Sequence, residues 1–128
     1  MTRLIEYADA PPEVRAVFDD IKALRAVADV NNFWKALAVH PPTLARVWDN
    51  LKQVMAPGAL DPLTKEMLYL AVSAAAGCQY CVASHTAAAR AKGMDDAMHG
   101  ELLAVIAMAA ETNRLAEALR VPVDPQFQ

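Results

Sequence analysis

Asp61-Pro62-Leu63-Thr64-Lys65-Glu66 opens and Ala74-Ala75-Ala76-Gly77 closes a run that decides how the rest of the chain is read. Cys78-Gln79-Tyr80-Cys81-Val82-Ala83-Ser84-His85 follows it at once. Aspartate followed by proline is a helix start. The carboxylate accepts from free backbone N–H groups, and proline at the first helical position has no N–H to leave unsatisfied. A helix from Leu63 to Ala76 is predicted. Its side chains are apolar almost all round, which predicts a central, buried element. Gly77 fits the residue just past a helix end, where a left-handed backbone is wanted. A second helix then runs from about Gln79 to Lys92 and stops at Gly93. One glycine between two helices implies an antiparallel or steeply crossed pair.

Outward from this hairpin the chain is helical to both ends. Pro11-Pro12 open a first helix with Val14, Val17, Phe18, Ile21 and Leu24 on one face. Asn31-Asn32 offers a cap for a short helix from Phe33 to Val39. Proline disfavours helix in the residue before it, so His40-Pro41-Pro42 ends that element. A third helix carries Leu44, Val47, Trp48, Leu51, Val54 and Met55 on one face, and Ala56-Pro57-Gly58-Ala59 is a loop. After Gly93, Asp95 or Asp96 restarts a long helix to about Leu119, with Gly100 as a candidate break. The tail from Arg120 to Gln128 holds two prolines and is expected to be extended. No useful strand alternation, repeat or low-complexity segment is present. The reading is all-α, one domain over residues 1–128, with the CxxC pair at the N-terminus of a central helix.

Composition narrows the function classes. The 128 residues carry 12 basic and 15 acidic side chains, for a net charge of −3, with no basic run, so nucleic acid is not an expected partner. The longest apolar stretch, Leu102 to Ala110, has nine residues, too few to span a bilayer. The first residues lack the long apolar segment of a leader, and a cytoplasmic location is expected. There a CxxC pair is more often catalytic or metal-binding than a structural staple. A hydrophobic fraction of 55% and a mean hydropathy of +0.16 are high for so short a chain and point to subunit interfaces.

The chemistry-bearing residues lie around the hinge. Cys78, Cys81 and His85 are spaced i, i+3 and i+7, one stripe of one helix. Two thiols so close can form a disulfide, and the imidazole can take a thiol proton. Cys78 stands at or just before a helix N-terminus, where free N–H groups favour a thiolate. Cys81 is one turn from His85, which could deprotonate it or hold its anion. Glu66 is the odd residue among Met67, Leu68, Tyr69, Leu70, Ala71 and Val72. At about 1.5 Å per residue it lies roughly 16 Å before the hinge, and His85 roughly 12 Å after it, so the two could meet across the hairpin. A line Glu66–His85–Cys81 follows, with Cys78 at its outer end. A surface pair with Lys65 is the plainer reading of Glu66. Tyr80, between the cysteines, either donates a hydrogen bond to the site or simply packs.

At these residues the chain resembles the AhpD-like alkylhydroperoxidases of the carboxymuconolactone decarboxylase family. The pattern is a glutamate, eleven intervening residues, then CxxCxxxH, matched by Glu66, Cys78, Cys81 and His85. The resemblance takes in most of the chain, including Asn32-Phe33-Trp34, His40-Pro41 and the last helix around Asn113. It implies that Cys81 attacks a peroxide, that Cys78 resolves the sulfenic acid as a disulfide, and that Glu66 and His85 handle protons. It also implies a lipoyl or thioredoxin-like electron donor and a homotrimer or homohexamer. Where some family members have a histidine directly before the second cysteine, this chain has Tyr80. The family's lactone decarboxylases typically lack the cysteine pair, which argues against that activity here.

The leading reading is a thiol-dependent peroxidase acting on organic hydroperoxides or hydrogen peroxide. A thiol–disulfide oxidoreductase or redox sensor would use the same pair without peroxide. A zinc-like site of Cys78, Cys81, His85 and Glu66 has poor tetrahedral geometry on one continuous helix. An oligomeric helical scaffold with a vestigial site is the remaining possibility. Nothing resembles a nucleotide or flavin site, so no bound cofactor is expected.

Overall fold

The computed structural model describes residues 2–128. Its elements are α1 (Pro12–Arg25), α2 (Asn32–Leu37), α3 (Pro41–Met55), α4 (Pro62–Ala75), α5 (Gln79–Ala91) and α6 (Asp96–Leu119). Single 3-10 turns lie at Tyr7–Asp9 and Pro125–Phe127, and no strand occurs among the described residues. The helices divide between two compact units, one up to Ala56 and one from Pro57 onward.

In the first unit, the apolar face read along α1 supplies Val14, Phe18 and Ile21 to a core completed by Trp34 of α2 and by Leu44 and Trp48 of α3. Burying each such side chain contributes about 1.5–3 kcal/mol. The Trp34 and Trp48 rings meet edge to face, with centroids 5.3 Å apart. The Trp48 Nε1–H donates to Asp20 Oδ2 at 2.6 Å, so the indole is buried without losing its hydrogen bond. Lys35 is buried, and its Nζ pairs with Asp29 and Glu6 at 2.7 Å each. Those two carboxylates, Asp29 foremost, raise its pKa against the opposing effect of burial. Leu24 and Val54, read as members of the apolar faces, are exposed instead.

The second unit is built on the hairpin. Asp61 caps α4 through Thr64: its two carboxylate oxygens accept from the backbone N–H at 2.9 Å and from Oγ1 at 2.7 Å. Gly77, at φ +71, ends α4. Its N–H donates to the carbonyl of Ala74, and the Cys78 N–H donates to that of Ser73. This pair of bonds satisfies the last carbonyls of α4 while turning the chain directly into α5. Gly93, at φ +110, closes α5 in the same way, with Met94 N–H on the Ala89 carbonyl. Leu70, Ala89 and Met94 form the buried core, with Leu63, Met67, Val82, Met98 and Leu102 packed around them.

Two expectations for this unit need correction. α4 is not buried all round: Glu66, Leu70 and Ser73 are covered, whereas Leu68, Tyr69 and Val72 are exposed. Within the unit only α5 and α6 pack on it, and two neighbours cannot cover every side of a helix. Nor does Gly100 break the last helix. α6 runs unbroken for 24 residues, because a single glycine costs only about 1 kcal/mol and removes no backbone hydrogen bond. The tail is extended apart from its 3-10 turn. No residue of α6 is fully buried, and Leu103, Val105, Met108, Leu115 and Leu119 are exposed. Between α4 and α6 runs an open apolar groove of about 750 Å³, lined by Leu68, Ala71, Leu102, Val105 and Ile106 among others. No helix among the described residues is long and apolar enough to cross a membrane.

Candidate active site

The turn at Gly77 puts Cys78 at the N-cap of α5 and Cys81 in its first turn. The two are joined as a disulfide. The Cys78 Sγ also accepts the backbone N–H of Cys81 at 3.2 Å, so it takes the place that a serine or aspartate fills at other helix starts. A thiolate formed here on reduction would face the same free N–H groups and the positive end of the helix. Ser84 Oγ donates to the Cys81 carbonyl at 3.2 Å, which braces the turn between the cysteines and His85. Cys81 and His85 lie one turn apart on the same side of α5, where β-carbons are about 5–6 Å apart.

The antiparallel hairpin brings Glu66 to His85. The imidazole Nδ1 lies 2.8 Å from Glu66 Oε2. The residue depth along each helix therefore matches as the 1.5 Å rise implies. Glu66 is only 7% exposed. Burial pushes its pKa up, but hydrogen bonds from His85 and Lys92, with the lysine's charge, more than offset this and hold it below the ordinary value. Glu66 is thus a buried carboxylate that stays ionised because it is paired on both oxygens. An ionised carboxylate only accepts, so Nδ1 of His85 carries a hydrogen, and the neutral ring keeps its lone pair on Nε2.

Two partners were not foreseen. Lys92 Nζ lies 3.2 Å from Glu66 Oε1. The ring of Tyr69 stacks on that of His85, with centroids 3.7 Å apart and planes at 22°. Each had a signal in the sequence. Lys92 is seven residues past His85 and continues its stripe, and Tyr69 is three past Glu66 on α4. Tyr80 lies on the exposed side of α5, at 45% exposure. The four residues weighed as zinc ligands are engaged otherwise: the sulfurs with each other, and the carboxylate with His85 and Lys92.

Comparison with known proteins bears on the family and the fold. The model of the carboxymuconolactone decarboxylase family matches residues 41–124. The alkyl hydroperoxide reductase AhpD of Solibacter usitatus is 36% identical over 107 residues, which are 81% of this chain and 59% of that protein. The chain therefore spans under two thirds of the length of this curated relative. The crystal structure of the alkylhydroperoxidase AhpD core from Rhodospirillum rubrum superposes with a TM-score of 0.96 at 55% identity. The match covers 99% of this chain and 96% of the other.

Proposed function

The chain belongs to the carboxymuconolactone decarboxylase family, as an AhpD-like member, and from that premise we propose that it is a thiol-dependent peroxidase. The observation that carries this reading is the Cys78–Cys81 pair at a helix start, one turn from an imidazole bonded to a buried carboxylate.

His85 Nε2 takes the Cys81 thiol proton, and Glu66 offsets the charge that forms on the ring. The Cys81 thiolate attacks the O–O bond of an organic hydroperoxide or of hydrogen peroxide. The bond breaks, the proton returns to the leaving oxygen, and Cys81 becomes a sulfenic acid while an alcohol or water departs. The Cys78 thiol attacks that sulfur, water leaves, and the disulfide forms. A dithiol donor of lipoyl or thioredoxin-like chemistry then supplies two electrons and two protons, ending as a disulfide itself. In this scheme the Cys78–Cys81 disulfide is the oxidised resting state.

The exposed apolar surface of α4 and α6 supports association into a homotrimer or homohexamer. The cytoplasm, where dithiol donors are kept reduced, is the expected compartment.

The test is peroxide consumption by reduced protein with an excess dithiol. Cys81→Ser is expected to abolish turnover, and Cys78→Ser, reduced and then freed of dithiol, to consume one equivalent of peroxide and hold a sulfenic acid on Cys81. Wild-type turnover by Cys81→Ser would refute the mechanism. The same disulfide is also the oxidised state of a thiol–disulfide oxidoreductase. Fast disulfide exchange, with equally slow peroxide reaction at both thiols, would favour that second reading.

A further inference from the structure

Glu66 and His85 are held from two further sides. Lys92 takes Glu66 Oε1 at 3.2 Å, while His85 takes Oε2 at 2.8 Å, so each carboxylate oxygen has its own partner. His85 lies in α5 and Lys92 just past its end, seven residues on. The carboxylate cannot rotate to exchange oxygens without breaking an ion pair. On the other side, the Tyr69 ring covers one face of the imidazole at 3.7 Å. A flip of the ring would break the Nδ1 bond to Glu66, and the stacked Tyr69 ring sets the plane in which the imidazole lies. Neither Lys92 nor Tyr69 donates or accepts a proton in the cycle above.

We infer that Lys92 and Tyr69 are positioning residues: Lys92 fixes the Glu66 carboxylate and Tyr69 the His85 ring, so that the imidazole is held in the Nδ1–H tautomer with Nε2 as its basic nitrogen. The effect on rate rests on the peroxidase reading; the effect on the tautomer does not. Proton transfer needs the basic nitrogen on the side of the thiol, and a ring that samples both tautomers has that nitrogen correctly placed only part of the time.

The experiment uses the oxidised protein with 15N-labelled histidine, at a pH where the imidazoles are neutral. The His85→Gln variant identifies the His85 signals among those of the three histidines. In the wild type, Nδ1 is expected at the shift of a protonated nitrogen and Nε2 at that of an unprotonated one. Lys92→Met and Tyr69→Leu are expected to move both shifts toward their average, and Lys92→Arg and Tyr69→Phe to restore the separation. In peroxide turnover, Lys92→Met is expected to lower kcat about tenfold with little change in KM, and Lys92→Arg to recover most of the loss. Unchanged His40 and His99 signals show that a variant has folded, and either Lys92→Met or Tyr69→Leu alone decides the matter if the other does not fold. Wild-type His85 shifts in a folded Lys92→Met or Tyr69→Leu protein would overturn the inference. Absence of wild-type peroxide turnover would instead sink the proposed function and leave the tautomer result standing.

Discussion

Replacing Glu66 by glutamine keeps the volume and one acceptor oxygen but removes the charge, and its effect on stability should depend on pH in a defined way. The His85 contact involves two largely covered groups, with side-chain exposures of 19% and 9%. A hydrogen bond to a charged group is worth about 1.5–3 kcal/mol, and the neutral bond that glutamine can keep about 0.5–1.5 kcal/mol. The Lys92 contact counts for less, since that side chain is 40% exposed and a pair so open to water contributes about 0.2–1 kcal/mol. Relief of the buried carboxylate's desolvation works the other way. The net loss at neutral pH is about 1 kcal/mol. The sign with pH follows from the lowered Glu66 pKa: burial alone would raise it, and the bonds from His85 and Lys92 prevail. A depressed folded-state pKa contributes stability that is complete above the unfolded value of about 4.3, and that is lost as pH falls through the folded value. The gap between wild type and Glu66→Gln should therefore stay constant from neutral pH down to about 5 and close below it. Asp20, Asp29 and Asp61 also have lowered pKa values and give an acid slope to both proteins, so the difference curve is the informative one. The assay is urea unfolding at one fixed protein concentration over a pH series. A gap that persists undiminished into acid would refute the paired-carboxylate account of Glu66.

Gly77→Ala is expected to lower stability by about 1 kcal/mol through backbone strain alone, because φ is +71 and nothing lies within 4 Å of the added Cβ. Thermal melts measure it; an unchanged melting temperature would show that the hinge does not need its left-handed turn. Val105→Asp, at an exposed position of the α4–α6 groove, is expected to shift sedimentation to a smaller species with helix content retained. An unchanged sedimentation coefficient would place the association surface elsewhere.

The legible parts of this fold are those set by neighbours in sequence. The Asp61 cap, the proline starts at Pro12, Pro41 and Pro62, and the glycine stops at Gly77 and Gly93 depend on a few residues each, and each element stands close to where those signals put it. The meeting of Glu66 with His85 was readable for a related reason. A one-glycine hinge fixes the register of the hairpin, so position along the two axes nearly determines who faces whom. Lys92 and Tyr69 were harder. Lys92 is a long side chain that could reach water as easily as a carboxylate, and the stacking of Tyr69 depends on a rotamer that periodicity does not specify. The exposure of Leu68 and Val72 was out of reach for another reason. An apolar helix surface shows that something must cover it, but not whether that cover comes from the same chain.

The positions around α4 explain how one helix meets two demands. At 100° per residue, Glu66, Leu70 and Ser73 fall within about 60° of one another, on the buried face that holds the carboxylate. Thr64, Leu68, Ala71 and Ala75 fall about 140–200° away from Glu66 and line the groove shared with α6. The helix is apolar nearly all round because two of its faces need cover, one from α5 and one from outside its own hairpin. A further chain seated in the groove would remove Leu68, Val72 and Val105 from water, at about 25 cal/mol for each Å² of apolar surface. It would do so on the far side of α4 from Glu66. Association can therefore stabilise the helix that carries the carboxylate without occupying the face on which Glu66, His85 and Lys92 meet.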